Sequence, residues 1–186
     1  MLWALGGSGF SVRVGLGQGV AGSLRQAARD AAGCLDALPS HPHRALVLLA
    51  DGLCGDQMEV VRGAYEVAGA SVPLVGGCAG DDMAMCSTQQ IFGDRVLRHA
   101  VVAAAIGSEA PIGIGVSHGW QPVGDPMLVT SSEGVVVTAL DDRPALDVYL
   151  EALQAPAEVS ASPEAFATFA ATHPLGIPRR DRIEIR

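Results

Sequence analysis

Three short apolar runs, at residues 11–16 (SVRVGL), 44–50 (RALVLLA) and 72–75 (VPLV), alternate with two stretches of a different period. Between residues 23 and 38 the apolar positions Leu24, Ala27, Ala28, Ala31, Cys34, Leu35 and Leu38 recur at three- and four-residue steps, which is one face of an amphipathic helix. Ser23 stands where an N-cap belongs, and the segment 39–43 (PSHPH) ends the helix. Residues 56–70 repeat the pattern, with Met58, Val61, Ala64, Tyr65 and Ala68 on one side. A β-α-β-α-β alternation leaves few folds open: the helices pack on a sheet, and right-handed crossovers set the three strands parallel. The middle run is apolar at nearly every position, the pattern of a strand covered on both faces.

Further along, the punctuation changes. Strands are predicted at 90–92, 96–106, 112–118, 127–130 and 134–140, separated by Gly93-Asp94, Gly107-Ser108-Glu109, Gly124-Asp125-Pro126 and Ser132-Glu133-Gly134. Strands joined by such short turns form an antiparallel meander. A helix is predicted from Asp141-Asp142-Arg143-Pro144 through Leu153, with Asp142 as its cap and Pro144 in its first turn. Ser162-Pro163-Glu164 opens a shorter one toward Thr172, and residues 182–185 suit one last strand. The predicted fold class is α/β: a parallel β-α-β-α-β N-terminal part joined to an antiparallel meander, with C-terminal helices.

Composition narrows the function classes. With 186 residues, 49% of them hydrophobic and 17% charged, the chain can bury a sizeable core. A net charge of −8 repels nucleic acid and anionic membranes, so neither is an expected partner. All 12 basic residues are arginines, which excludes a Schiff-base or Walker A lysine. There is no uncharged apolar run of about eighteen residues to predict a spanning helix. The first ten residues, MLWALGGSGF, lack the basic start and long apolar core of a signal peptide, so a cytoplasmic location is expected. Cys34, Cys54, Cys78 and Cys86 show no C-x-x-C spacing, and four buried thiols in a reducing compartment, with neither disulfides nor a zinc site, are expected.

The run 72–75 meets Gly76, Gly77, Cys78, Ala79 and Gly80, then Asp81 and Asp82. Small residues let backbone N–H groups approach a ligand, so these five form a candidate binding loop, with a plain tight turn as the other reading. Residues 17–22 form G-x-G-x-x-G between a strand and a helix, with Asp51 closing the next strand. Asp51 lies 34 positions beyond Gly17, whereas a ribose-binding acid belongs roughly 20 on. Cys54 and Cys78 as nucleophiles, with His99 or His118 as bases, lack a local signature. His41 and His43 sit in a connector expected to be solvated, and the adjacent Asp81 and Asp82 point apart in extended chain. Trp120, between a glycine and a polar residue, suits either a pocket wall or a plug over the core, with His118 and Thr130 close in sequence. If the meander folds back on the parallel part, these three face the glycine loop.

Several motifs in order resemble the FIST N domain family. Leu46-Val47-Leu48-Leu49-Ala50 and Pro73-Leu74-Val75-Gly76-Gly77-Cys78-Ala79-Gly80 are similar to its paired strands and small-residue loop. Residues 115–124 (GVSHGWQPVG) resemble its G-W-x-P-x-G segment. Val129-Thr130, Gly134-Val135-Val136-Val137 and Leu140-Asp141-Asp142-Arg143-Pro144-Ala145 are similar to its V-T, G-n-x-V and L-D-G-x-P-A elements, with Asp142 where glycine is usual. His173-Pro174-Leu175-Gly176-Ile177 resembles the junction into the family's second half. The resemblance implies a sensory domain at residues 11–160, preceded by a short extension (1–10) and followed by a junction (161–186) toward a C-terminal FIST portion. It implies signal transduction through a small ligand, such as an amino acid, with no catalytic residues. Haem enters only because some proteins of this kind are haem-linked gas sensors. A protein-interaction module or split-sensor half, and a nucleotide-binding enzyme, are the other classes considered.

Overall fold

A computed structural model describes residues 7–19, 23–82, 84–134, 136–180 and 183–185. The chain is mixed α/β and divides into two compact units, Met1–Val116 and Ser117–Arg186.

In the first unit the predicted alternation is present. Strand β1 (Phe10–Gln18) leads to α1 (Leu24–Ala32), β2 (His43–Asp51), α2 (Gln57–Ala68) and β3 (Leu74–Ala79). A hairpin follows, β4 (Gln90–Phe92) and β5 (Arg95–Leu97), and then the long strand β6 (Ala100–Ser108). The sheet order is β1-β6-β2-β3, with β6 antiparallel to both of its neighbours and β2 parallel to β3. The first three strands therefore share a direction, as the crossovers predict, but β6 is inserted between β1 and β2. Its alanines and valines are small enough to be buried at the centre of a sheet. The predicted strand 96–106 is two strands, broken at His99, whose φ is +51°. Residues 112–118 carry no ladder among the described residues: the Ile-Gly-Ile-Gly-Val alternation has the β period but no neighbouring strand to pair with.

Helix α1 starts directly after Ser23, whose carbonyl accepts the Ala27 N–H at 3.0 Å, and tightens into a 3₁₀ turn at Gly33–Leu35. Asp56 caps α2 through its side chain, which accepts the Met58 N–H at 2.9 Å. Both helices cover one face of the sheet, and the core is rich in alanine: Ala27, Ala28, Ala31 and Ala64 on the helices, Ala103 and Ala105 on β6, around Leu46, Leu48 and Val101. Such small side chains bury area only if the backbones come very close. Glycine supplies that closeness, since a Cβ at Gly15 would lie 2.0 Å from the Ala31 carbonyl oxygen and one at Gly17 1.7 Å from that of Ala27. The opposite face of the sheet is more open, with Leu49 52% and Val14 58% exposed. The run 44–50 thus has helices on one side only, because its second set of apolar side chains points away from α1 and α2.

His41, expected to be solvated, is not. Its ring packs where a Gly107 side chain would be and bridges Glu109 (Nδ1 to Oε1, 2.9 Å) and Ser11 (Nε2 to Oγ, 3.0 Å).

The second unit is built on a small antiparallel sheet, β7 (Val129–Glu133), β8 (Val136–Leu140) and β9 (Arg143–Pro144). Helices α3 (Ala145–Ala152) and α4 (Pro163–Thr172) follow, then the ribbon of β10 (Gly176–Pro178) and β11 (Ile183–Ile185). Ser162 caps α4 by accepting the Ala165 N–H, with Pro163 in the first turn as predicted. Pro144, not Asp142, holds the N-cap position of α3. Asp142 sits at φ +60°, a region that glycine occupies freely and aspartate tolerates.

Candidate functional site

Gly76, Gly77, Cys78 and Ala79 do not form a loop. They extend β3 along β2, in the register Leu48↔Gly76 to Asp51↔Ala79. The Leu46 N–H donates to the Pro73 carbonyl at 2.9 Å, so the parallel pattern turns the N–H groups of Val75, Gly77 and Ala79 toward β2 and those of Gly76 and Cys78 toward the open edge. Successive N–H groups point in opposite directions and do not converge on one ligand; only Gly80 lies past the strand. Gly76 is needed for packing, since a Cβ there would lie 1.9 Å from the Leu48 carbonyl oxygen. Cys78 is exposed, and its thiol is pushed up by local desolvation and then by the Asp51 charge.

Nor is Asp81 a metal ligand in waiting. Its Oδ2 accepts the N–H groups of Cys86 (2.7 Å) and Ser87 (3.0 Å), and its Oδ1 that of Met85 (3.0 Å). These bonds hold its carboxyl below the ordinary aspartate range. Because the folded pKa is depressed, the bonds are complete above the unfolded value of about 3.9 and are lost as pH falls through the folded one. In an NMR titration the Cys86 and Ser87 amide protons should therefore shift together, with a midpoint below about 3.9. In Asp81→Ala that titration should vanish. A midpoint at or above the ordinary value contradicts this account.

The G-x-G-x-x-G stretch has a structural use at Gly17, under α1, and Gly19 donates its N–H to the His99 carbonyl at 3.0 Å. Val20, Ala21 and Gly22 lie outside the described residues.

The other three site candidates belong to the second unit. Trp120 lines a groove of about 380 Å³ together with Leu140, Tyr149, Leu153, His173 and Pro174. Elements α3, β8 and the segment before β10 position these side chains. Tyr149 donates its hydroxyl to the His173 carbonyl at 2.7 Å, and burial raises its pKa. The His173 ring stacks on Phe169 at 4.1 Å, with Nδ1–H donated to the Phe169 carbonyl. His118 is spent on structure: its Nε2–H donates to the Ile183 carbonyl at 2.9 Å. Thr130 likewise accepts the Asp142 N–H at 2.9 Å. The groove is thus an aromatic and aliphatic channel with few polar groups, suited to an apolar side chain or ring.

A third constellation brings together Asp51, Cys54 and His99. Asp51 ends β2, Cys54 lies in the turn after it, and His99 precedes β6. Buried Asp51 accepts the Leu53 N–H on Oδ1 and the His99 N–H on Oδ2, both at 3.0 Å. Asp51 also takes a hydrogen bond from the Thr88 hydroxyl, which in turn accepts from Gln90. Burial alone would raise the carboxyl pKa; the hydrogen bonds from Thr88, Leu53 and His99, with the His99 charge, outweigh it and hold Asp51 ionised. The Cys54 thiol is pushed up by burial and then by Asp51, which disfavours a resting thiolate nucleophile. Sequence reading marks the three separately, Asp51 as a possible ribose acid, Cys54 as a possible nucleophile and His99 as a possible base; no local spacing marks them as partners, because the ladder of β2 with β6 joins them.

The sequence model of the FIST N domain matches residues 1–143. An uncharacterized protein of Methanocaldococcus jannaschii is 34% identical over 83 residues, which make up 45% of this chain and 16% of the archaeal protein. The chain thus aligns with about a sixth of that relative's length. No solved structure matches.

Proposed function

This chain belongs to the FIST N domain family, a family of sensory signalling domains, and from that premise we propose that it binds a small amphipathic metabolite, such as an amino acid with an apolar side chain. The observation that carries this reading is the groove beside Trp120. Its volume of about 380 Å³ is that of a small-molecule site, and its walls are aromatic and aliphatic. The ligand's apolar part packs on Trp120, Tyr149 and Leu140, and its polar end finds the backbone around Gly124 and Pro174. The reading is of a binder and not an enzyme. In keeping with that, the thiols of Cys34, Cys54 and Cys78 are all pushed up, first by burial. Output follows if the ligand prefers one of two states of the chain and so biases contact with a signalling partner or a C-terminal FIST portion.

A thermal-shift screen of amino acids and related metabolites tests this. At least one should stabilise the wild type, and Trp120→Ala should lose the response. In a Trp3→Phe background Trp120 is the single tryptophan, so the same ligand should change its emission. A screen without hits, or an unchanged response in Trp120→Ala, removes the groove as the site.

One observation favours a second reading, the interaction module. Strand β3 is an edge strand with the Gly76 and Cys78 N–H groups outward, and Leu49 and Val14 are exposed on one sheet face. A partner strand added to β3 would use the two N–H groups, with Leu49 on the neighbouring strand β2 as the nearer apolar contact. Partner-dependent protection of those amides without any small-molecule response would favour it over the groove.

A further inference from the structure

We propose that Asp51, Cys54 and His99 form a binding site for a zinc-class divalent cation, with a fourth position open to water or to a ligand's donor atom. The three donor atoms lie within 4.8 Å of one another. Nδ1 of His99 is 3.5 Å from Cys54 Sγ and 3.6 Å from Asp51 Oδ2. Bonds of ~2.0–2.3 Å to a tetrahedral ion place neighbouring ligand atoms about 3.4–3.6 Å apart, so two edges of the required figure already exist.

A hydrogen-bonded triad would be arranged differently. It would use both ring nitrogens, one toward the thiol and one toward the carboxylate. Here sulfur and carboxylate address the same nitrogen, which carries either one proton or one lone pair. At 3.6 Å the Nδ1 to Oδ2 contact is also too long for a hydrogen bond. A cation between the three satisfies all of them at once.

The donor set of one thiolate, one imidazole and one carboxylate is that of a borderline-soft ion. Its support is also in place. Leu53 N–H and the Thr88 hydroxyl hold the Asp51 carboxylate, and Gln57 donates to the Asp51 carbonyl at 2.9 Å. The Gly19 N–H fixes the His99 carbonyl, and the His99 side chain is 62% exposed, which leaves an entry path. Binding replaces the Cys54 thiol proton with the metal–sulfur bond, and that proton leaves to solvent.

Metal-free full-length protein titrated with Co²⁺ tests the proposal. A thiolate-to-cobalt charge-transfer band in the near ultraviolet, with visible bands of tetrahedral intensity, should saturate at one ion per chain, and Zn²⁺ should abolish both. Cys54→Ser should lose the charge-transfer band. His99→Asn, whose side chain tolerates the positive φ and is largely outside the core, should weaken binding by about tenfold or more while the far-ultraviolet circular dichroism stays unchanged. Cys78→Ser and Cys86→Ser should bind as the wild type does. No saturable band in the folded wild type, an unchanged affinity in His99→Asn, or a band that depends on Cys78 or Cys86 overturns the assignment. Zn²⁺ should also protect Cys54 from alkylation in the wild type and not in His99→Asn; equal labelling of both rejects the site independently.

Discussion

Gly17→Ala should destabilise the chain by about 3 kcal/mol or more, the upper end of what overpacking does. The new Cβ would sit 1.7 Å from the Ala27 carbonyl oxygen, 2.5 Å from its carbon and 2.7 Å from its Cα. All three are backbone atoms of α1, so no rotamer change relieves the clash. The helix would have to retreat from β1, which also lifts Ala31 off Gly15 and opens space among side chains too small to refill it. Set against a typical total of about 5–15 kcal/mol for a domain, that loss removes much of the stability. Gly33→Ala is the matched control, because a Cβ there meets nothing within 4 Å and Gly33 has an ordinary helical φ of −56°. Urea unfolding followed by circular dichroism measures both. Equal midpoints for the two variants would mean that α1 does not lie on Gly17.

The same glycine marks where sequence reading works and where it stops. The helices were legible because Leu24, Ala27, Ala28 and Ala31 repeat a period over several turns, which no local accident imitates. Gly76 was read as the start of a loop because a glycine beside a strand signals a turn far more often than a close strand contact, and Gly17 only as part of a glycine motif. What a glycine permits depends on the backbone facing it, and that backbone is distant in sequence: Ala27 for one, Leu48 for the other. The placement of β6 between β1 and β2 was hidden for a related reason. A run of small apolar residues shows that a strand is buried without naming its neighbours.

Among the candidate site residues, Trp120 had two readings in sequence, a pocket wall and a plug over the core, and in the structure it lines a groove. His118 and Thr130 looked equivalent to it in sequence, yet their polar atoms are taken by Ile183 and Asp142. The cluster at Asp51 was only half visible. Cys54 and His99 are 45 positions apart, and the break of the predicted strand 96–106 at His99 brings the imidazole to the end of β2. A basic, exposed residue inside an otherwise apolar strand pattern was the available signal.

Leu46→Ala should lose about 3–4 kcal/mol, whereas Leu49→Ala, three residues along the same strand, should lose roughly 1 kcal/mol or less. Leu46 is fully buried and faces the helices, paired with Ala105 on one side and Leu74 on the other. Its surroundings are mainly alanine, held by backbones that Gly15 and Gly17 have already brought to contact. They cannot collapse further, so most of the cavity left by truncation stays open, and that places the loss in the upper part of the usual Leu→Ala range. Leu49 points to the opposite face, where it is 52% exposed and gives up little contact on truncation. Denaturant unfolding should show the difference in midpoint with the slope unchanged, since neither variant alters the surface exposed on unfolding by much. The pair also decides between two readings of the run 44–50. Its continuous apolar character suits a strand buried on both faces, and that reading requires the two losses to be equal. Helices on one face only require them to differ by at least ~2 kcal/mol, by the same transfer and cavity magnitudes.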